Sequence, residues 1–596
     1  MKLETLLDKT MTRRLFSKWM VKAASVSALF AVFGNTIFKG SRAVAAQTSA
    51  GKGMGSPITV GGSNRLRTLL KNGLIVDGSG KNAYPGNLLM NGDRIEMVTS
   101  EEIDFKGSTI DCSGKVIAPG VIDMHSHMDW VLPIEGRSEL KTPFTQQGVT
   151  TFIGGNCGFG VAGFKKNSPH RGMLERRVKG LYDLKWDTMA EYKDTMKQQG
   201  ITHNLLNLAG YGTTRATVQG YDATPMQGDR MKEQLYLLEE ALDQGATGIS
   251  FGLQYEPGVF ATLDEMKQVA ELVKRKDKII TVHMKAYSSL SGTYPLEFFG
   301  TPHNLLAIED MLKLTRETGV KMQLSHLIFV GERTWKSYEK AFTMIDQAIG
   351  EGLDIKFDTY AYHCGVSIIN VVLPEWFLAG IPDVFESRTS LLKLRAELTL
   401  ITKLLGFGYE DIQITKANHP ELEQYNGMFL RDIAEKRGLG EFENFIDFVQ
   451  KSKGKAAVLN HRYSNLEQVK AMIKHPASLF QTDATVLRHG TQNPAAFGNF
   501  PRILQYARDF KLLSLEEVVH KMTGASADRF NIKDRGVLAN GKAADVMVFD
   551  WNNVRDNNTD LKTSETPTGI ERVFINGKLV LEDGRLDTTS TPGVLL

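Results

Sequence analysis

One unit recurs along the middle of the chain: an amphipathic stretch, a glycine, then a short apolar run. Asp264–Lys278 carries Met266, Val269, Ala270 and Val273 at helical spacing, and Ile279–His283 follows as a strand. Asn304–Thr318 ends at Gly319 before Val320–Ser325, Ala341–Glu351 ends at Gly352 before Asp354–Asp358, and Met231–Gln244 ends at Gly245 before Thr247–Ser250. Val121–Met124, Val149–Ile153, Asn204–Leu208 and Leu479–Thr482 complete eight strand-like runs. Strands separated by helices must lie parallel, because each helix carries the chain back to the same edge. Eight such units predict an α/β fold, a (β/α)8 TIM-type barrel. The rhythm lapses once: 123 residues separate Tyr360 from Asp483, far more than one unit needs. An insertion at about 384–455 is expected there, with helices around 390–405 and 427–438.

The flanks read differently. Thr68–Val76 and Asn87–Val98 are strand-like, with Asn91-Gly92 as a hairpin turn. Ala544–Asp550 and Arg572–Glu582 are strand-like too, with Asn576-Gly577 as another such turn. Two unrelated hairpins would satisfy these signals. Pairing them into one small β-sandwich, 65–118 plus 535–596, is more economical and leaves 119–534 to the barrel.

Charge separates the N-terminus from the rest. The 596-residue chain has a formal net charge of +3, yet residues 1–46 hold eight Lys/Arg against Glu4 and Asp8, which leaves the remainder at −3. That sign excludes a non-specific nucleic-acid binder. Thr12-Arg13-Arg14-Leu15-Phe16-Ser17-Lys18 reads as a twin-arginine signal, and the apolar run Ala23–Phe38, interrupted by Gly34 and Asn35, is short for a membrane span. Ala43-Val44-Ala45-Ala46 offers a cleavage site. Residues 1–46 are therefore expected to be a signal peptide that engages the twin-arginine export machinery and sends the protein to the periplasm or beyond. A retained anchor is the alternative. Residues 47–64 form a polar lead-in, and three cysteines are too few for a disulfide framework.

Chemistry in such a barrel belongs at the C-terminal ends of its strands. The first strand runs into Asp123-Met124-His125-Ser126-His127, where i and i+2 side chains point the same way. The fifth ends at His283, the sixth at His326 and the eighth at Asp483, and the loop after the second carries Asn156-Cys157-Gly158. Imidazole, thiolate and carboxylate all suit zinc. Each alone is weak, since a lone histidine is more often a packing residue and a lone cysteine a small hydrophobe. Six ligand-type residues at the expected rim predict a metal site of one or two ions.

Several motifs in order carry a family resemblance. Val116–His127 resembles the opening of the amidohydrolase superfamily. Gly154–Gly158, Gly252–Gly258, Asp358–Tyr362, Gly498–Arg502 and Ala543–Asp550 resemble its N-acyl-D-amino-acid deacylase (D-aminoacylase) branch. The resemblance implies that Cys157 bridges two ions, with His283 and His326 at the tighter site and His125, His127 and Asp483 at the weaker. It also implies that Asp483 carries the proton from attacking water to departing amine. Tyr255 and Tyr360 fall where substrate would lie.

Departures from the family pattern bear on the substrate. Ile328 stands where the family commonly has the Lys of His-Leu-Lys, and Ala495 where it has the Arg of His-Pro-Arg; both cations are expected to bind a substrate carboxylate. Tyr211 replaces a common His. Either another cation compensates, such as Arg488 or Lys285, or the substrate lacks a free carboxylate there. The leading expectation is an exported, zinc-dependent amidohydrolase that cleaves the acyl amide of an N-acyl-D-amino-acid-like small molecule. Hydrolysis of a cyclic amide, imide or lactone is the second reading. A non-catalytic binding protein on the same fold is the third; a pure binder would have no use for a proton carrier at Asp483.

Overall fold

Local chemistry starts and stops the helices. Leu263–Arg275 begins at Thr262, whose side chain accepts the Glu265 amide, and places Asp264 and Glu265 in its first turn and Lys274 and Arg275 in its last. Those charges complement the helix dipole. His303–Thr318 ends at Gly319, whose φ of 65° is the left-handed cap that glycine adopts without strain. The computed structural model describes residues 58–59, 67–291, 293–294, 300–373, 376–377 and 381–596. The expected signal, 1–46, lies outside them, as does the lead-in apart from 58–59.

Eight parallel strands form the barrel: β1 (Val121–Asp123), β2 (Val149–Gly154), β3 (Asn204–Asn207, continued by Ala209–Gly210), β4 (Gly248–Gly252), β5 (Ile279–His283), β6 (Lys321–Leu324), β7 (Ile355–Thr359) and β8 (Ser478–Phe480). Each pairs in sequence order with the next from β1 to β8. Between β8 and β1 the ring closes through single bonds: the Asp483 amide donates to the His125 carbonyl at 3.0 Å, and the Thr482 amide to Asp123 Oδ1 at 3.0 Å. Ile122, Met124, Ile153, Leu206, Leu208, Ile279 and Leu479 meet in one buried cluster. These residues come from opposite sides of the ring, so they fill its interior.

The two ends of the chain pair directly. Val116–Pro119 lies antiparallel to Val546–Phe549, with Val546 opposite Pro119, and parallel to the end of Arg67–Ile75. Leu70, Leu88, Ile95 and Ile117 from the first part share a buried cluster with Val546, Val548 and Phe574 from the last.

The insertion after β7 has its own three-stranded antiparallel sheet, with Ala457–Asn460 between Gly365–Ile368 and Ile412–Lys416. It therefore reaches from 365 to 460, beyond the expected 384–455, because its first and last strands are four-residue runs too short to show a period. Helices Arg388–Leu405, Leu430–Arg437 and Glu441–Lys451 complete it. Its return segment is stitched to the barrel rim: the amides of Phe329 and Gly331 donate to the carbonyls of Tyr463 and Arg462, and the Tyr463 amide donates to His363. The insertion is thus joined to the loops that follow β6 and β7, at the C-terminal side of the barrel.

Candidate metal centre

The Gly154-Gly155-Asn156-Cys157-Gly158 turn shows why these residues are needed after β2. Gly155 has a φ of +80°, and a Cβ there would stand 2.2 Å from the Leu208 carbonyl oxygen. Asn156 Nδ2 donates to the Ile153 carbonyl at 3.0 Å while its Oδ1 accepts from Thr281 Oγ1 at 3.1 Å, and the Gly158 amide donates to Ser250 Oγ at 3.0 Å. This bracing holds Cys157 at a φ of +53°. His326 and Asp483 are likewise left-handed, at +32° and +45°. Such conformations cost side-chain-bearing residues of order 1–3 kcal/mol each and persist only where surrounding bonds impose them.

The six side chains named from the sequence converge in two overlapping groups that share Cys157: His125, His127, Cys157 and Asp483, and Cys157, His283 and His326. From Cys157 Sγ the distances are 3.3 Å to His125 Nε2, 3.6 Å to His326 Nε2 and 3.8 Å to His283 Nδ1. Asp483 Oδ1 stands 3.5 Å from Nε2 of both His125 and His127. Ligands of a tetrahedral zinc ion, at ~2.0–2.3 Å from the metal, stand ~3.3–3.8 Å apart, so the donor set fits such an ion in both chemistry and spacing. His283 Nδ1 and His326 Nε2 are closer, at 2.8 Å.

Electrostatics keeps this centre ionised. Burial alone would raise the Cys157 thiol, but His125, followed by hydrogen bonds from His125 and His127, holds it well below the usual thiol range. Burial works against protonating His127, yet its contacts with Asp483 and Cys157 lift it to about 9. His283 is pushed down to about 4 by burial and by His326. Asp483 stays below the usual carboxylate range: burial opposes that, and His125, His127 and His326 outweigh it.

Residues to which the sequence assigned no role orient these ligands. Gln254 Oε1 accepts from His283 Nε2 at 2.9 Å while Gln254 Nε2 donates to the Lys285 carbonyl at 3.1 Å, which leaves His283 Nδ1 facing the cluster. Asp358, at the end of β7, accepts the His326 amide at 2.7 Å and Gln323 Nε2 at 2.9 Å and lies 3.6 Å from His125 Nδ1. Asp123 accepts from the Thr482 hydroxyl at 2.5 Å and so fastens β1 to the segment before Asp483. Asp123 ends β1 and Asp358 is the next-to-last residue of β7, close to the positions that marked the ligands.

Tyr255 reaches the centre, its hydroxyl 3.2 Å from His283 Nδ1. Tyr360 is buried after β7, where Asp483 is among the groups that, after burial, raise its phenol pKa. Ile328 is buried in the loop after β6. Ala495 is buried at the start of helix Ala495–Asp509, its carbonyl accepting from Gln147 Nε2 at 3.2 Å. Arg488 is exposed in the loop after β8, and Lys285 is half-buried. Tyr211 is wired to packing: its buried hydroxyl donates to Glu265, which also accepts the Met226 amide at 2.8 Å.

An amidohydrolase family model matches residues 404–581, which span most of the insertion, β8 and the closing β-strands. A D-aminoacylase of Alcaligenes xylosoxydans xylosoxydans is 28% identical over 519 residues, 86% of this chain and 94% of that protein. The structure of a Bordetella bronchiseptica N-acyl-D-glutamate deacylase, complexed with zinc and a phosphonate inhibitor, superposes with a TM-score of 0.70 at 25% identity and covers 89% of this chain and 100% of that one. A D-aminoacylase with a binuclear metal centre superposes with a TM-score of 0.71 at 25% identity, over 89% of this chain and 99% of that one. Over most of its length the chain is therefore similar to D-aminoacylases and to an N-acyl-D-glutamate deacylase, and residues 404–581 match the amidohydrolase family. The metal-type donors all lie at or just past the C-terminal ends of the barrel strands or in the loop after β2.

Proposed function

We propose that the protein is an exported zinc-dependent amidohydrolase that removes the acyl group from an N-acyl-D-amino-acid-like substrate. The observation that carries this reading is Asp483, held 3.5 Å from both His125 and His127 beside a shared thiolate. His125, His127, Cys157, His283, His326 and Asp483 would hold one or two zinc ions. Zinc bound there supplies a Lewis acid that acidifies water and polarises an amide carbonyl. Asp483 takes the proton of the attacking water and returns it to the departing amine, a task that needs a carboxylate kept ionised beside cationic neighbours. Gln254 and Asp358 keep the imidazoles aimed, and the Tyr255 hydroxyl lies within reach of a substrate at the His283 side. Export rests on Arg13-Arg14 and the apolar run behind them.

The deciding experiment assays zinc-loaded protein against N-acetyl-D-amino acids, their L-enantiomers and cyclic imides. Release of free D-amino acid that stops on chelation and returns with zinc is expected. Cleavage of cyclic imides alone would overturn the reading. For export, Arg13→Lys with Arg14→Lys should leave precursor in the cytoplasm, and normal export of that double variant would refute the signal.

A further inference from the structure

Arg177 lies in helix Gly172–Val178, part of the loop region between β2 and β3, on a platform built from the ligand segments themselves. Its guanidinium carbon is 4.4 Å from the centre of the Phe159 ring and 5.1 Å from Trp130. Trp130 follows His127 by three residues, and Phe159 follows Cys157 by two. The Trp130 indole donates to the Phe159 carbonyl at 2.7 Å, so the two rings are fixed to one another. The Phe159 ring centre is 5.3 Å from that of Tyr255, whose hydroxyl touches His283. A continuous run of rings therefore leads from the guanidinium to the metal centre.

Among the described residues Arg177 makes no hydrogen bond and no ion pair, and its Nε is buried without a partner. Asp129 is buried nearby but forms no ion pair with Arg177. Burial lowers the guanidinium's pKa, and Asp129, Tyr182 and Tyr221 oppose that shift. The guanidinium lies over both rings, and its N–H groups, the donors that can take a carboxylate bidentately, bond to no described residue. A buried N–H left without an acceptor, as Nε is here, is costly unless a ligand completes it. Ile328 and Ala495 supply no charge, and Arg488 is exposed.

We infer that Arg177 is a specificity-determining residue that binds a free carboxylate of the substrate, so that the preferred substrates are acids rather than blocked amides. This rests on the amidohydrolase reading above. The test compares kcat/KM for N-acetyl-D-leucine and N-acetyl-D-glutamate with that for their carboxamides, in zinc-loaded wild type, Arg177→Gln and Arg177→Lys. Arg177→Gln should lose about 10–100-fold on the acids, through KM, and less than about twofold on the carboxamides, the range expected for a charge-assisted hydrogen bond. Arg177→Lys should recover part of the loss. Equal losses on acid and carboxamide would mean that Arg177 merely supports Asp129, and no loss on the acids would mean that another cation reads them; either result overturns the inference. If wild type cleaves neither, the deacylase reading fails separately, and calorimetric binding of the same acids decides the role of Arg177. Weaker acid binding in Arg177→Gln alone supports it. Equal binding in both proteins, or none in wild type, refutes it.

Discussion

Asp483→Asn is the sharpest perturbation of the centre, because it removes a charge and a proton acceptor while keeping shape. The backbone bond from the Asp483 amide to the His125 carbonyl, 3.0 Å, is untouched, so the left-handed turn at φ +45° and the closure of β8 on β1 should survive. What is lost is the carboxylate 3.5 Å from His125 Nε2 and His127 Nε2. At that separation one unit-charge pair is worth up to ~5 kcal/mol for an effective dielectric of ~20. The amide keeps a weak acceptor oxygen but cannot carry a proton, and general acid–base assistance is worth roughly 10²–10⁴ in rate. We expect kcat to fall by that factor, about 3–5 kcal/mol at the transition state, while the ion at Cys157, His283 and His326 is retained. The assay is steady-state release of amino acid from the best N-acetyl-D-amino acid, with metal content by elemental analysis and a melting curve on the same samples. Turnover within a few-fold of wild type, with metal retained, would refute the proton-carrier role.

Three further outcomes are expected. Cys157→Ala should lose metal at both sites, because its Sγ is the atom they share, whereas His125→Ala should lose mainly the weaker one; full metal content in Cys157→Ala would remove the bridging assignment. Gln254→Leu frees the outer nitrogen of His283 and should weaken the tighter site about 10–100-fold in chelator competition, with little change at the other; unchanged competition would contradict its orienting role. His203 is buried between Thr145 and Thr202 with its pKa lowered to about 3 by burial and by Lys141. It is neutral when folded and takes a proton on unfolding below pH ~6.5, so it supports the fold above that pH and costs ~1.4 kcal/mol per pH unit as pH falls from there towards 3. His203→Gln should flatten the stability–pH slope by one proton between pH 6 and 5 in chemical unfolding; an unchanged slope would show that His203 is charged in the fold.

The barrel was legible because each unit announces itself locally, through a helix period, a terminating glycine and a short apolar strand. The six ligand-type residues were legible for a related reason: none is telling alone, but they recur at or beside the ends of successive strands. Arg177 carried no such mark. It sits in a seven-residue helix with Arg176 beside it, and only the three-dimensional approach of Trp130 and Phe159 separates it from a surface cation. Gln254 was hidden similarly, since an amide in a loop gives no sign of facing an imidazole.

Tyr211 shows the converse limit. A change from a common family residue drew attention to it, yet its hydroxyl is spent on Glu265, and Arg215 lies 3.7 Å from the same carboxylate. Departure from a pattern marks a position where something differs, and only its partners tell chemistry from packing. By that criterion the turns at Cys157, His326 and Asp483 matter more than their residue types. Each spends backbone energy to bring a donor inward, and each is fixed by neighbours: Gly158 bonded to Ser250, the His326 amide to Asp358, the Asp483 amide to the His125 carbonyl. A fold under no demand to assemble these donors would relax those turns first. Their persistence within one cluster argues that the convergence is the purpose of the rim rather than a by-product of closing the barrel.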